Sequence, residues 1–198
     1  RVLVTGGSSG IGRATVELLV CCGAEVAFTG RPNNPALTEI ESKLGGMAHG
    51  IAYEAGNQAV DDLLSKASDI LGTFPDCLFA NAGVYTDGEE VWNDELVDRV
   101  FRVNLIATAE LVNSFVNRLM AEGRHGTIVA TGSNRGLMPD AVPYGLSKAA
   151  LHSFIQGVAR EHYKDGIRAN VVAPGMTASN INGVDPEGDL ALGLTTIG

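Results

Sequence analysis

The first twelve residues, Arg1 to Gly12, constrain the fold more than any other stretch because they join three local patterns in a fixed order. Residues 1–4 form a short apolar run with β-branched side chains, which is typical of a buried parallel strand. From Ile11 onward, apolar residues recur at helical spacing. A glycine-rich turn lies between the two patterns. The sequence therefore begins with a predicted strand that runs through a tight turn into a helix.

The glycines of this turn predict a binding site for an anion such as a nucleotide phosphate. Gly6 allows a sharp turn, Gly10 allows close approach of the backbone to a pyrophosphate, and Gly12 allows tight packing of the helix on the strand. Backbone N–H groups at the helix start, together with the positive end of the helix, favour an anion. The spacing differs from Gly-x-Gly-x-x-Gly, and no Gly-Lys-Ser/Thr follows. The candidate phosphate-binding residues are Gly6, Ser8, Ser9, Gly10, Ile11 and Gly12.

Composition narrows the class of protein. The chain has 198 residues, is 45% hydrophobic and carries a net charge of −9 with its acidic residues scattered, so one α/β domain is expected and a nucleic-acid partner is not. No apolar run has transmembrane length and no signal sequence is evident, which predicts a cytoplasmic protein without a membrane partner. Cys21, Cys22 and Cys77 show no metal-ligand spacing, so no metal site is predicted and the thiols are expected to be buried and reduced.

Strand and helix patterns alternate along the whole chain, which predicts one parallel sheet covered by helices on both faces. The fold class is therefore a Rossmann-type, doubly wound α/β/α domain covering residues 1–198. Strands are predicted at 1–5, 25–30, 47–53, 76–80, 126–132 and 168–173. Helices are predicted at 11–22, 35–44, 58–71, 94–121 and 144–164.

The ends of the second and third strands face the adenosine half of a dinucleotide in such a fold. Gly30 is followed by Arg31, whose guanidinium suits a 2′-phosphate better than a free hydroxyl. This favours NADP(H), while NAD(H) stays open and a solvated loop arginine is the alternative. Glu54, followed by Ala55, lies where a carboxylate can accept a hydrogen bond from the adenine amine.

The fourth strand leads into Asn81, Ala82 and Gly83, where small residues allow the chain to pass beneath a cofactor and Asn81 can tie strand ends together. A plain turn is the alternative reading. Asn104 lies inside the long predicted helix 94–121, where asparagine competes for backbone hydrogen bonds. We expect a helix bulge or a held water to compensate, although a surface asparagine would also fit.

The last two strands deliver polar residues to the same edge of the sheet. Ser133 follows the fifth strand, and Tyr144 and Lys148 are four residues apart on the next helix, so phenol and ammonium share one face. The sixth strand ends in a rigid turn with hydroxyl donors after it. The candidate residues of that turn are Pro174, Gly175, Thr177 and Ser179.

Taken in order, these motifs resemble the short-chain dehydrogenase/reductase family in its single-domain form. They are Thr5-Gly6-x-x-x-Gly10-Ile11-Gly12, Asn81-Ala82-Gly83, Asn104, Ser133, Tyr144-x-x-x-Lys148 and Asn170-x-x-Ala173-Pro174-Gly175. The resemblance implies an oxidoreductase that uses NAD(P) and acts on a carbonyl or alcohol. The family's final strand and the helix before it are expected to be missing.

The same resemblance implies a role for each candidate catalytic residue. Ser133 would hold the substrate carbonyl and Tyr144 would transfer its proton. Lys148 would lower the pKa of Tyr144 and bind the nicotinamide ribose, and Asn104 would hold a water in the proton relay. Tyr144 and Lys148 thus also count as cofactor-binding residues.

Three functional hypotheses follow. The first is an NADP(H)-dependent ketone reductase or alcohol dehydrogenase acting on a small molecule. The second is a non-catalytic nucleotide-binding or scaffold protein, and the third is a dehydratase or epimerase of the extended subtype. A homodimer or homotetramer through the two long helices is expected, because their apolar residues exceed what one sheet face can cover and because the family resemblance implies dimers or tetramers. Some of these residues could equally belong to the core of a single chain. The residues concerned are Leu111, Phe115, Leu119, Leu151, Phe154 and Ile155.

Overall fold

A computed structural model describes residues 1–85 and 92–177 of the chain. Six parallel strands form one sheet in the order β3-β2-β1-β4-β5-β6. The strands are β1 (Val2–Val4), β2 (Val26–Gly30), β3 (Ala48–Ala52), β4 (Cys77–Ala80), β5 (Gly126–Thr131) and β6 (Ile167–Val172). The predicted doubly wound parallel sheet is confirmed.

Helices connect the strands, and most of their boundaries lie within about two residues of the predicted ones. The helices are α1 (Gly10–Cys21), α2 (Ala36–Lys43), α3 (Val60–Leu71), α4 (Asp94–Phe101), α5 (Ala107–Ala121) and α6 (Pro143–His162). The predicted helix 94–121 is divided into α4 and α5 by a π-helical turn, Arg102–Ile106. Asn104 lies in this turn, so the expected helix bulge is present.

The order of the strands places a crevice at the centre of the sheet. Val2 of β1 pairs with Val26 on one side and with Cys77 on the other, so β1 has β2 and β4 as its neighbours. The chain runs outward from β1 to β3 and then returns to the other side of β1. Ligands of open α/β sheets bind at the carboxyl ends of strands where the order reverses in this way.

Both faces of the sheet are buried by apolar side chains. Along β1, Leu3 belongs to the core beneath α3, α5 and α6, while Val2 and Val4 belong to a second core beneath α1 and α2. Because successive residues of a strand point to opposite faces, a strand covered on both sides needs consecutive apolar residues. This explains the uninterrupted apolar run at the start of the sequence.

The residues expected to form an oligomer interface lie mostly inside this single chain, so that expectation is wrong for five of the six. Leu111, Phe115, Leu119, Leu151 and Ile155 are buried in the first core, and Phe154 is partly buried against it. Residues outside the sheet also cover these side chains. The centre of the Phe115 ring, for example, lies 5.3 Å from that of Phe74. The oligomer itself stays a prediction.

Two of the three thiols also differ from expectation. Cys21 and Cys22 are exposed because they lie at the end of α1, whereas Cys77 is half-buried in β4. Burial raises the pKa of the Cys77 thiol. Among the helices of residues 1–85 and 92–177, none combines the length and the apolar character needed to span a bilayer.

One face of β6, an edge strand, is open among the described residues. Arg168, Asn170 and Val172 of β6 are exposed, while Ile167 and Ala169 are buried on the opposite face. The expectation about a missing final strand concerns residues 178–198, which lie outside the described part of the chain, as does Ser179.

Candidate active site

The carboxyl ends of β1, β4 and β5 are tied together by Asn81. Its amide nitrogen donates to the carbonyl oxygens of Thr5 and Gly6, each at 3.2 Å, and its Oδ1 accepts from the hydroxyl of Thr131 at 3.0 Å. The Thr5 hydroxyl accepts from the backbone N–H groups of Asn81 and Ala82. These bonds fix the edge of the sheet in the way expected of Asn81.

The glycine-rich turn fits a bound phosphate. Gly6 and Gly10 adopt φ values of 65° and 52°, which L side chains rarely tolerate. A Cβ on Gly12 would lie 2.1 Å from the Gly6 carbonyl oxygen, so only glycine lets the helix start this close to the strand. Ser9 caps α1 without a side-chain hydrogen bond, and the first turn contains no acidic residue. The positive end of α1 is therefore left for an exogenous anion.

The remaining residues of the predicted adenosine side flank this turn. Ser8 is buried and its hydroxyl accepts a hydrogen bond from Asn34 at 3.2 Å. Arg31 is exposed directly after β2, and its guanidinium has no acidic partner in the part of the chain that the structure describes. Glu54 is exposed, and its backbone N–H donates to the Gln58 side-chain oxygen at 2.7 Å. Ala55 and Ile11 are half-buried.

The turn after β6 packs against the loop that carries Ser133. The backbone N–H of Asn134 donates to the Pro174 carbonyl at 3.0 Å, and the Thr177 hydroxyl donates to that of Gly175 at 3.2 Å. Gly83 lies close to both Asn104 and Lys148. A Cβ on Gly83 would be 3.2 Å from Asn104 Oδ1 and 3.5 Å from Lys148 Nζ. The sheet edge thus brings the predicted cofactor and catalytic residues to one place.

Ser133, Tyr144 and Lys148 form one cluster. Ser133 is buried at the end of β5, and its hydroxyl accepts a hydrogen bond from the Arg135 backbone N–H at 3.2 Å and lies close enough to Tyr144 to influence the pKa of the phenol. Lys148 is only 4% exposed; its ammonium donates to the Thr131 carbonyl at 2.7 Å and lies 5.8 Å from the centre of the Tyr144 ring. Two hydroxyls and an ammonium therefore converge on one partly enclosed spot.

The protonation of this cluster differs from expectation. Burial raises the pKa of Tyr144, and this outweighs the hydrogen bond from Ser133, which lowers it. Burial also lowers the pKa of Lys148 to about 8. The expected lowering of the Tyr144 pKa by Lys148 is therefore not found. Burial destabilises the phenolate by more than the neighbouring groups stabilise it. Tyr144 carries its proton at neutral pH.

Asn104 is completely buried, and its side chain joins two elements around the cluster. Oδ1 accepts from the Val84 backbone N–H at 2.8 Å, while Nδ2 donates to the Val84 carbonyl at 2.9 Å and to the Ser147 hydroxyl at 3.2 Å. Both amide hydrogens are thus in use. The side chain holds the loop after β4 against α6, and a relay water would have to bond to an acceptor oxygen of Asn104.

Comparison with known proteins decides the family. The family model described as short chain dehydrogenase matches residues 1–189. The chain belongs to the short-chain dehydrogenase/reductase family. This is a family of oxidoreductases, and membership places the chain among enzymes that act on CH–OH or carbonyl groups.

Relatives within the family agree with the site. The chain is 35% identical over 188 residues to the 3-oxoacyl-(acyl-carrier-protein) reductase FabG of Escherichia coli, covering 90% of this chain and 74% of that enzyme. A short chain dehydrogenase from Burkholderia cenocepacia in complex with NADP is 30% identical, with a TM-score of 0.82 over 96% of this chain and 78% of that one. A 4-hydroxyisoleucine dehydrogenase complexed with NADH and succinate is 26% identical, with a TM-score of 0.77 over 89% and 79%. Structural relatives therefore bind either NADP or NADH.

The structure of this short-chain dehydrogenase adds site residues that the sequence analysis missed. The Tyr85 ring packs edge-on at 4.8 Å from Tyr144, and Arg135 forms a two-point ion pair with Asp140 at 2.6 and 2.9 Å. Asp140 also accepts from the backbone N–H of Val142, just before α6. These contacts depend on loop conformation, so no periodic or spaced motif signals them.

Proposed function

We propose that this protein is an NADP(H)-dependent reductase that interconverts a small-molecule carbonyl compound and its secondary alcohol. The observation that carries the proposal is the clustering of the Ser133 and Tyr144 side chains with the buried ammonium of Lys148, which lies 5.8 Å from the centre of the Tyr144 ring. Its membership of an oxidoreductase family supports the same reaction class.

Tyr144 is the proton donor in this proposal. Its raised pKa keeps the phenol protonated at neutral pH, so the hydroxyl can give a proton to the carbonyl oxygen as that oxygen gains charge. Bound NADPH supplies the hydride to the carbonyl carbon. The protonated phenol is the form that carbonyl reduction uses, whereas alcohol oxidation starts from the phenolate.

Ser133 and Lys148 support the proton transfer in different ways. Ser133 donates a hydrogen bond to the carbonyl oxygen, which stabilises the developing oxyanion. Lys148 places a positive charge beside Tyr144 and offers its remaining donors to a ribose hydroxyl. Asn104 positions the cluster through Val84 and Ser147, and an acceptor oxygen of Asn104 holds the relay water that the family pattern implies.

The cofactor is held by the glycine-rich turn and by the strand ends around it. The first turn of α1 would hold the pyrophosphate, and Arg31 would pair with a 2′-phosphate. Glu54 contacts the adenine. Asn81, Ala82, Gly83 and the Pro174–Thr177 turn would contact the nicotinamide half. Ser179, the remaining residue of the predicted set, lies outside the described residues.

The decisive experiment compares Tyr144→Phe with Tyr163→Phe, which removes a hydroxyl from an exposed tyrosine outside the site. A carbonyl screen monitored by NADPH oxidation identifies a substrate first. We expect Tyr144→Phe to lower kcat by about 100-fold or more with NADPH affinity retained, since only the proton donor is lost. Tyr163→Phe should match the parent. Activity of Tyr144→Phe within about threefold of the parent would show that another group moves the proton.

A further inference from the structure

A buried histidine lies directly behind the predicted carbonyl-binding serine. His152 of α6 is 6% exposed, and its Nε2 accepts a hydrogen bond from the backbone N–H of Ser133 at 3.3 Å. Because Nε2 is the acceptor, the neutral ring carries its proton on Nδ1. The proposed reaction does not use this imidazole.

The chain leaves space for the ring at two glycines of the Ser133 loop. A Cβ on Gly132 would lie 2.0 Å from His152 Nε2, and one on Gly136 would lie 3.0 Å from the ring carbon Cε1. The two glycines lie on either side of Ser133 in the sequence, and the ring accepts a hydrogen bond from the Ser133 N–H. The imidazole therefore lies against Gly132 and close to Gly136, where the backbone of α6 also approaches the loop that carries Ser133.

We propose that His152 is a positioning residue, whose neutral imidazole fixes the backbone of Ser133 so that the serine hydroxyl stays directed at the substrate carbonyl. The inference rests on the proposed function only for its effect on turnover. The hydrogen bond itself can be observed without catalysis.

The same geometry makes the position of Ser133 sensitive to acid. Protonation places a hydrogen on Nε2, and an imidazolium cannot accept from the Ser133 N–H. Burial and the neighbouring charge of Lys148 both lower the pKa of His152 below its ordinary value of 6.5. Lys148 is the charged group that lowers the pKa of the ring; Gly132 and Gly136, whose backbones lie near the ring, have no ionisable side chain. The bond is thus intact at neutral pH and is lost only as the pH falls below 6.5.

Two substitutions separate positioning from packing. His152→Leu removes the acceptor, and His152→Gln returns a carbonyl oxygen that can reach the position of Nε2. His162→Gln, at the exposed end of the same helix, is the matched control. We expect His152→Leu to lower kcat by about tenfold or more with KM within about twofold, and His152→Gln to recover most of that loss. The fall of kcat in acid should disappear in His152→Gln and persist in His162→Gln.

A measurement without turnover makes the test independent of the reaction. In protein labelled with ¹⁵N, the amide shift of Ser133 should titrate together with the His152 ring, both in the parent and in Tyr144→Phe. This holds even if His152→Leu fails to fold. A Ser133 amide that ignores the His152 titration, or a His152→Gln variant no more active than His152→Leu, would overturn the proposal. Loss of the proposed function alone would instead show as full activity of Tyr144→Phe with the amide titration preserved.

Discussion

At the scale of single residues, the candidate site combines groups that are costly to bury. Lys148 is almost completely enclosed, and no carboxylate of residues 1–85 or 92–177 pairs with it; its ammonium donates to the Thr131 carbonyl. Burial of such a charge destabilises the folded protein unless the group loses its proton. The buried ammonium beside Tyr144 therefore lowers the stability of the folded protein.

Replacing this lysine should stabilise the protein while it abolishes activity. The shift of the Lys148 pKa from 10.5 to about 8 means that burial destabilises the charged lysine by about 3 kcal/mol. Replacing the lysine removes this cost but also removes the hydrogen bond to Thr131, which stabilises the fold by about 1 kcal/mol. Lys148→Met should thus raise the free energy of unfolding by on the order of 2 kcal/mol in urea titrations at pH 7. The gain should be full below pH 8 and fade as the pH rises toward 10.5, where the unfolded lysine also loses its proton. Lys164→Met, at an exposed lysine, should change little, and an equal gain there would contradict this reasoning.

Arg31 decides cofactor preference if it meets a 2′-phosphate. Arg31→Ala should lower kcat/KM for NADPH by about tenfold and leave NADH unaffected, because a charge-assisted phosphate contact contributes about 1.4 kcal/mol. Arg160→Ala, at an exposed arginine on α6, serves as the control. Unchanged preference in Arg31→Ala would make this residue a solvated loop arginine.

At the scale of elements, the starts of α4 and α1 differ in how their free N–H groups are satisfied. The start of α4 is capped by Asn93, whose side chain accepts from the N–H groups of Glu95 and Leu96, and acidic residues fill its first turn. The start of α1 has neither device. Capping by side chains stabilises a helix end in the absence of a ligand, so an uncapped end at the sheet's switch point is typical of a binding role.

Gly12 makes that binding role testable. In Gly12→Ala, the new methyl group would meet the Gly6 carbonyl and the Asn81 amide, which lie 2.1 and 2.5 Å from its ideal position. The strand end must move, so NADPH affinity measured by fluorescence titration should fall by more than about tenfold. Gly157→Ala places a methyl group on α6 where nothing lies within 4 Å, and it should stabilise the protein by up to about 1 kcal/mol. Tight NADPH binding by Gly12→Ala would refute the assignment of this turn.

Sequence patterns predicted most of these elements because periodicity and turn residues are local signals. The boundaries of the strands and the placement of Asn104 in a helix bulge followed from such signals. The pKa of Tyr144 did not, because it depends on how much water the folded site excludes. The partners of Arg135 and His152 likewise depend on the path of a loop, which spacing does not determine.

At the scale of the whole molecule, the distribution of apolar residues depends on which neighbours the fold supplies. From the sequence, the wide apolar faces of α5 and α6 favoured an intermolecular contact. In the structure, the sheet and α3 share one core with these helices and cover their apolar faces. Phe74, for example, packs on Phe115 of α5. Amphipathic width alone cannot distinguish a helix buried between neighbours from one that binds a second copy.

The apolar side chains that stay exposed on this side of the molecule now carry the oligomer prediction. Ile106, in the π-helical turn before α5, is 42% exposed, and Leu146 on α6 is 38% exposed. We expect a dimer or tetramer by light scattering at micromolar concentration, and we expect Ile106→Lys to shift the mass toward the monomer because a buried unpaired ammonium opposes association. Leu18→Lys alters a residue of α1, which covers the opposite face of the sheet, and should leave the mass unchanged. A parent protein that is monomeric under these conditions would contradict the prediction, and so would an equal loss of mass in both variants.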